Sequence, residues 1–153
     1  VRQFSRVGSR ALRAAGVTVG VIWASPISAV GVGIGLLAVV GGARVRWSDA
    51  ALVFQHVPFG PGGALTLGNV ILHTGGSLDV QALTYHCAAH GGNDRVRLGD
   101  HERAHVYQYW LLGPLFLPLY FACGGIHVRN RFERAADRYA QTGRGWWPWS
   151  RDV

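Results

Sequence analysis

His101-Glu102-Arg103-Ala104-His105-Val106-Tyr107-Gln108-Tyr109 is the stretch on which the fold turns. Read as a helix, it carries His101 and His105 one turn apart on one face, because 3.6 residues per turn brings positions i and i+4 together. Two imidazoles so spaced reach one ion, and Glu102 stands beside that ion without having to ligate it. The chain holds seven histidines, and its two glutamates are Glu102 and Glu133. Shuffling this composition produces the pentad only about once in a few hundred trials. The spacing therefore predicts a helix from about Asp100 with a zinc ion on its His101/His105 face. Glu102 is the predicted base that takes a proton from zinc-bound water.

A catalytic zinc of this kind takes a third protein ligand and keeps one position for water. The inventory points to Glu133, in Phe132-Glu133-Arg134-Ala135-Ala136-Asp137. Asn130 is a predicted N-cap and Gly143 a predicted stop, so Arg131 to Thr142 should form three turns with Glu133 and Asp137 on one face. Glu133 is then the third ligand, and Asp137 accepts from the second nitrogen of a ligating histidine. A plainer use is open for each: Glu133 also suits a capping box with Asn130, and Asp137 can pair with Arg134 or Arg138 at the surface.

Gln108 and Tyr109, three and four residues after His105, are candidates for a substrate or oxyanion contact, though they equally suit a core. His86, Cys87 and His90 form a weaker cluster whose spacing suits no closed four-ligand site. His56 and His73 are expected on sheet faces.

Geometry tests the three-ligand set. Val106 to Ile126 carries no charge, and as one straight helix it would span roughly 30 Å and hold Glu133 away from His105. Gly113-Pro114, Pro118 and Gly124-Gly125 supply breaks instead. The His101 helix should stop near Leu112, an apolar segment should pack beneath it, and the Glu133 helix should return alongside.

Working back toward the N-terminus, Ala14 to Ala43 is free of charge and exceeds the roughly 20 apolar residues that cross a bilayer. Arg2, Arg6, Arg10 and Arg13 precede it, and Arg44 and Arg46 follow, which favours a cytoplasmic N-terminus. A retained anchor is expected. Pro26 with the glycines at 31, 33 and 35 leaves a broken helix or hairpin open, and Ile27-Ser28-Ala29 suits a signal cleavage site. Gly31 and Gly35 form a small-xxx-small pair suited to close helix packing.

Beyond Arg44 the apolar period changes to two, at Val45 and Trp47 and again at Leu52, Phe54 and His56, which is strand behaviour. Ala64 to His73 reads as a third strand, and residues 77 to 99 as a loop with at most a helical turn. The expected fold is α+β, with a basic arm and apolar membrane helix over 1–43. A small antiparallel sheet and a packed helical metal-site core follow over 44–153.

Composition agrees: 49% of residues are hydrophobic and 15% charged, with a formal net charge of +7. All fifteen basic residues are arginine, and methionine is absent, as expected of a GC-rich bacterial gene. No basic run interleaved with aromatics supports nucleic-acid binding, so anionic membrane lipid is the expected partner. Cys87 and Cys123 allow one disulfide at most. The tail Trp146-Trp147-Pro148-Trp149 suits a membrane interface or a core cap.

HExxH followed by a helix bearing ExxxD resembles the gluzincin metallopeptidases, especially the integral-membrane kind that includes the CAAX prenyl protease and HtpX types. The resemblance covers about residues 100 to 140. It implies ligands at His101, His105 and Glu133, Glu102 as general base, and Asp137 as the supporting carboxylate. The longer string from His101 to Tyr109, with Gly113-Pro114-Leu115-Phe116-Leu117-Pro118 and Asn130-Arg131-Phe132-Glu133, is similar to a group of small uncharacterised bacterial membrane proteins. That likeness covers most of the chain and implies no activity.

The leading expectation is a zinc metallopeptidase of the bacterial cell membrane, acting on a peptide or protein substrate. The alternative is a membrane protein in which zinc clips helices together while the chain binds lipid or a protein partner.

Overall fold

The computed structural model describes residues 2–60, 62–84 and 95–150, with side chains from Leu12 onward. Helix α1 (Arg2–Val40) leads into β1 (Arg44–Ser48), β2 (Ala51–Gln55), β3 (Ala64–Leu67) and β4 (Val70–His73). Short strands β5 (Gln81–Ala82) and β6 (Val96–Arg97) precede α2 (Leu98–Leu112). A 3-10 turn (Gly113–Leu115), α3 (Phe116–Ala122) and α4 (Arg131–Thr142) complete the chain. This is an α+β fold with a long apolar N-terminal helix, a small sheet and a helical core.

The sheet order is β1-β2-β4-β3. Its β1–β2 pair is antiparallel, as expected, and β3–β4 is antiparallel too, but β2 and β4 run parallel. The sheet is thus mixed, because Ala64 to His73 is not one strand: Gly68, at φ 63°, reverses the chain into a hairpin. A side chain at Gly68 would run into Ser28 of α1, so both the turn and the close approach require glycine there. The other hairpin turns on Asp49 and Ala50, both with positive φ, the backbone of a tight two-residue connection.

Strand alternation assigns the two faces. Phe54, Leu67, Val70 and Leu72 pack with Ala38, Ile27, Val32 and Ile34 of α1. Val53 and Ile71 face the other way, against Val106 and Trp110 of α2. The sheet is a middle layer between α1 and α2, which explains why both of its faces are apolar.

Helix α1 is long and apolar enough to cross a membrane over Leu12–Val40. It also buries a stripe of small residues against the rest of the molecule. Gly20, Ala24, Gly31, Gly35 and Ala38 recur every three, four or seven positions and are all buried. A side chain at Gly20 would strike Trp110, one at Gly31 would strike Val70, and one at Gly35 would enter the Phe54 ring. The Gly31/Gly35 pair therefore lets α1 approach a sheet rather than another helix. Pro26 lies inside the continuous helix, so no hairpin forms.

Helix α2 begins two residues ahead of the Asp100 expected from the sequence. Its first-turn donors are met by the preceding loop, with Leu98 N–H donating to the Val80 carbonyl and Gly99 N–H to that of Leu78. It ends at Leu112, as expected, where Gly113 adopts φ 53° against the Trp23 ring. Helix α4 matches its predicted bounds: the Asn130 side chain accepts from Phe132 N–H, and Gly143 closes the end at φ 72°. Between these helices Tyr109, Phe116 and Phe132 form a third core with Ala24. The tryptophan tail folds back over it, Trp146 against Tyr107 and Trp149 against Phe132, the cap alternative for that segment.

Candidate metal centre

His101 and His105 project from one face of α2, as i and i+4 must, and α4 returns alongside to bring Glu133 opposite them. His101 Nε2 is 3.2 Å from His105 Nε2 and 3.3 Å from Glu133 Oε2, and His105 Nε2 is 3.5 Å from Glu133 Oε1. One ligand atom from each residue falls within 4.8 Å of the others. Ligands held at 2.0–2.2 Å in a tetrahedron lie about 3.3 Å apart; the two histidine nitrogens have that spacing and each lies near it from a different Glu133 oxygen, so the three side chains could hold one small metal ion.

Both histidines are held by their other nitrogen. His101 Nδ1 is 2.8 Å from Asp137 Oδ1; a carboxylate only accepts, so Nδ1 carries a proton, and Nε2, facing Glu133 and His105, either donates to Glu133 as imidazolium or offers its lone pair to a metal ion in place of that proton. Asp137 accepts a second bond from the Thr84 hydroxyl at 2.6 Å. Gln108 Nε2 donates to the carbonyls of Phe132 and Trp146, at 3.3 and 2.8 Å. Its Oε1 must then point the other way, 2.8 Å from His105 Nδ1. That nitrogen therefore carries the proton, which leaves the His105 Nε2 lone pair turned toward His101 Nε2 and Glu133.

Glu133 does not make the capping box. Its Oε1 accepts from the Tyr120 hydroxyl at 2.6 Å, and Tyr120 leans its ring on His105. Asp137 is buried and bonded to His101. Glu102, adjacent to His101 and almost fully buried, accepts from the Thr66 hydroxyl at 2.6 Å through Oε2. Thr66 reaches it because its register with Ile71 puts it on the α2 face of β3. Register also places His73 on that face, opposite Ala64, where burial pushes its imidazole down despite the nearby Glu102 carboxylate.

Three carboxylates crowd two imidazoles here, and the electrostatics follow. Burial pushes the His101 pKa down, but bonds to Asp137 and Glu133 prevail and lift it well above the ordinary value. Burial would raise Glu133, yet the histidines and Tyr120 bring it to about 2. Burial and the Glu133 charge raise the Tyr120 hydroxyl far above its usual range, so it stays a donor. Such a cluster favours a cation at its centre, and a proton and a metal ion compete for the same Nε2 lone pair.

Of the residues predicted from sequence, His101, Glu102, His105, Glu133 and Asp137 come together. Gln108 does not face Glu133 with the histidine Nε2 atoms: it braces His105 from behind, through Nδ1. Tyr109, proposed with it as a substrate or oxyanion contact, is fully buried and stacks on Phe116 at 4.1 Å, so it is a core residue. Among the described residues, the tyrosine bonded to Glu133 is Tyr120. Spacing from the motif could not reveal it, nor Thr66 and Thr84, because all three arrive from other elements. The His86/Cys87/His90 cluster lies outside the described residues. Comparison with family models, curated proteins and solved structures finds no match to this chain.

Proposed function

We propose that this protein is a membrane-associated zinc metallopeptidase in which His101, His105 and Glu133 hold one zinc ion and Glu102 activates water against a peptide carbonyl. The observation that carries this reading is the convergence of His101 and His105 Nε2, 3.2 Å apart, on the Glu133 carboxylate, whose two oxygens lie 3.3 and 3.5 Å from them, spacings close to the edge of about 3.3 Å of a tetrahedral zinc site. Zinc would supply a lowered water pKa and a polarised carbonyl. The chain's own groups have separable parts: Asp137 and Gln108 fix the tautomers, Tyr120 holds Glu133, and Thr66 holds one oxygen of Glu102 so that the other can take the proton. The resemblance of HExxH plus ExxxD to gluzincins supports the same assignment.

The length and apolarity of α1 support placement in a bacterial cell membrane, with the basic N-terminal arm on the cytoplasmic side.

Metal content of the purified, detergent-solubilised protein tests the reading. Wild type and Glu102→Gln should each hold one zinc per chain, while His105→Ala and Glu133→Ala lose it and stay folded. Peptide hydrolysis should vanish in Glu102→Gln. Retention of zinc by Glu133→Ala, or turnover by Glu102→Gln, sinks the mechanism.

One observation favours the second reading, a zinc that clips α2 to α4 in a non-catalytic lipid- or protein-binding protein: His101, Glu102 and His105 are all buried. A bound zinc with no exchangeable water, and unfolding on chelation, would select it.

A further inference from the structure

Helix α1 accounts for only part of the apolar surface. Leu111, Leu115, Leu119, Phe121 and Ile126 are also exposed, Phe121 at 63% and Ile126 at 75%. They belong to the uncharged stretch from Val106 to Ile126, which folds into the end of α2, the 3-10 turn and α3. Two contacts set this surface beside the first half of α1: Gly20 against Trp110, and Gly113 against Trp23. On the α1 side the neighbouring Val19, Ile22 and Trp23 are exposed as well.

We propose that α3 and the turn before it enter the bilayer alongside α1, so that the protein meets its membrane through two elements. The inference rests on the membrane reading of α1 and extends it.

Charge identifies the occupant. The sequence between Glu102 and Glu133 holds Arg103, Arg129 and Arg131 and no acidic residue. Arg129 and Arg131 are exposed, just beyond the apolar surface. A second copy docked face to face would bring like charges together, whereas an anionic bilayer takes the leucines into its acyl region and the arginines among its headgroups. The consequence for the site is positional. Tyr120 lies on α3, and its hydroxyl is bonded to Glu133, so the metal trio stands directly behind the lipid-facing helix. The substrate class that fits is a peptide segment presented at the membrane boundary.

Site-directed spin labelling of the full chain in phosphatidylcholine/phosphatidylglycerol vesicles tests this. Single cysteines are placed at Leu115 and Phe121, at Leu36 on the outer face of α1, and at Val80 in the exposed loop before β5, in a chain with Cys87 and Cys123 changed to serine. Labels at 36, 115 and 121 should be open to oxygen and lose nickel-chelate accessibility, with Val80 the reverse. Shielding at 36 with water access at 115 and 121 overturns this inference alone. Water access at 36 as well overturns the membrane reading of α1 and this inference with it. Spin–spin broadening at 121 that vanishes on dilution with unlabelled protein means that a second copy covers the face, which also overturns it.

Discussion

His101 Nδ1 lies 2.8 Å from Asp137 Oδ1, a bond between two helices that joins residues 36 positions apart. It makes Asp137 the group that aims the His101 lone pair, while Glu133, one turn earlier on α4, is aimed at the same point.

Asp137→Asn should therefore weaken zinc by about 10- to 100-fold while α4 stays folded. Thr84→Val, which removes the hydroxyl that bonds Asp137, should weaken it less. Competition with a chromophoric chelator, read beside circular dichroism, checks both. Wild-type affinity in Asp137→Asn would separate this carboxylate from the metal centre.

Tyr120→Phe removes the donor to Glu133 Oε1 and leaves the aromatic packing in place. The freed carboxylate should be able to offer both oxygens, so a cobalt-loaded variant should show the weaker visible bands of a higher coordination number than wild type. Affinity should fall by roughly tenfold, as for other groups that orient a ligand. Identical spectra for the two proteins would mean that Tyr120 only packs.

Asp49 gives a pH prediction remote from the centre. Burial alone would raise its pKa, but bonds from Arg97 and Ser48 and the charge of Arg103 bring it below the ordinary aspartate value. A depressed folded pKa contributes stability that is present above the unfolded value and lost as pH falls through the folded one. Wild type should thus lose Tm progressively as pH drops below about 4. Asp49→Asn should start lower at pH 7, by about 2 kcal/mol because the arginines are partly exposed, and fall less steeply than wild type below pH 4, where Glu133 still contributes. Parallel Tm curves would remove Asp49 from the acid response.

Two glycines of α1 separate a helix seated on the domain from a free tether. Gly35→Leu puts a side chain into the Phe54 ring and should cost about 1–3 kcal/mol by overpacking. Gly33→Leu meets nothing within 4 Å and should be neutral or slightly stabilising through helix propensity. Denaturant unfolding in mild detergent measures both; equal stability would mean that α1 does not need its seat.

Local rules made much of this molecule legible in its sequence. Helical periodicity fixed His101 and His105 on one face, and the Asn130 cap and Gly143 stop bounded α4 to the residue, because caps depend on neighbours within one turn. Counting glutamates brought Glu133 to the centre. The uncharged run from Ala14 to Ala43 announced α1, and the breaks at Gly113-Pro114 announced the return of the chain.

What the tertiary structure decided was every relation between distant strands and helices. Period-two alternation marked strands but could not order them, so the parallel β2–β4 pair and the turn at Gly68 came only from packing. Spacing after His105 suggested Tyr109, but α2 rotates that residue into the Phe116 core, and α3 brings Tyr120 to Glu133 instead. Sequence determined which side chains could ligate, since that depends on residue type and local period. The fold decided which hydroxyls and carboxylates hold them, since hydrogen bonds close only when separate elements come within about 3 Å.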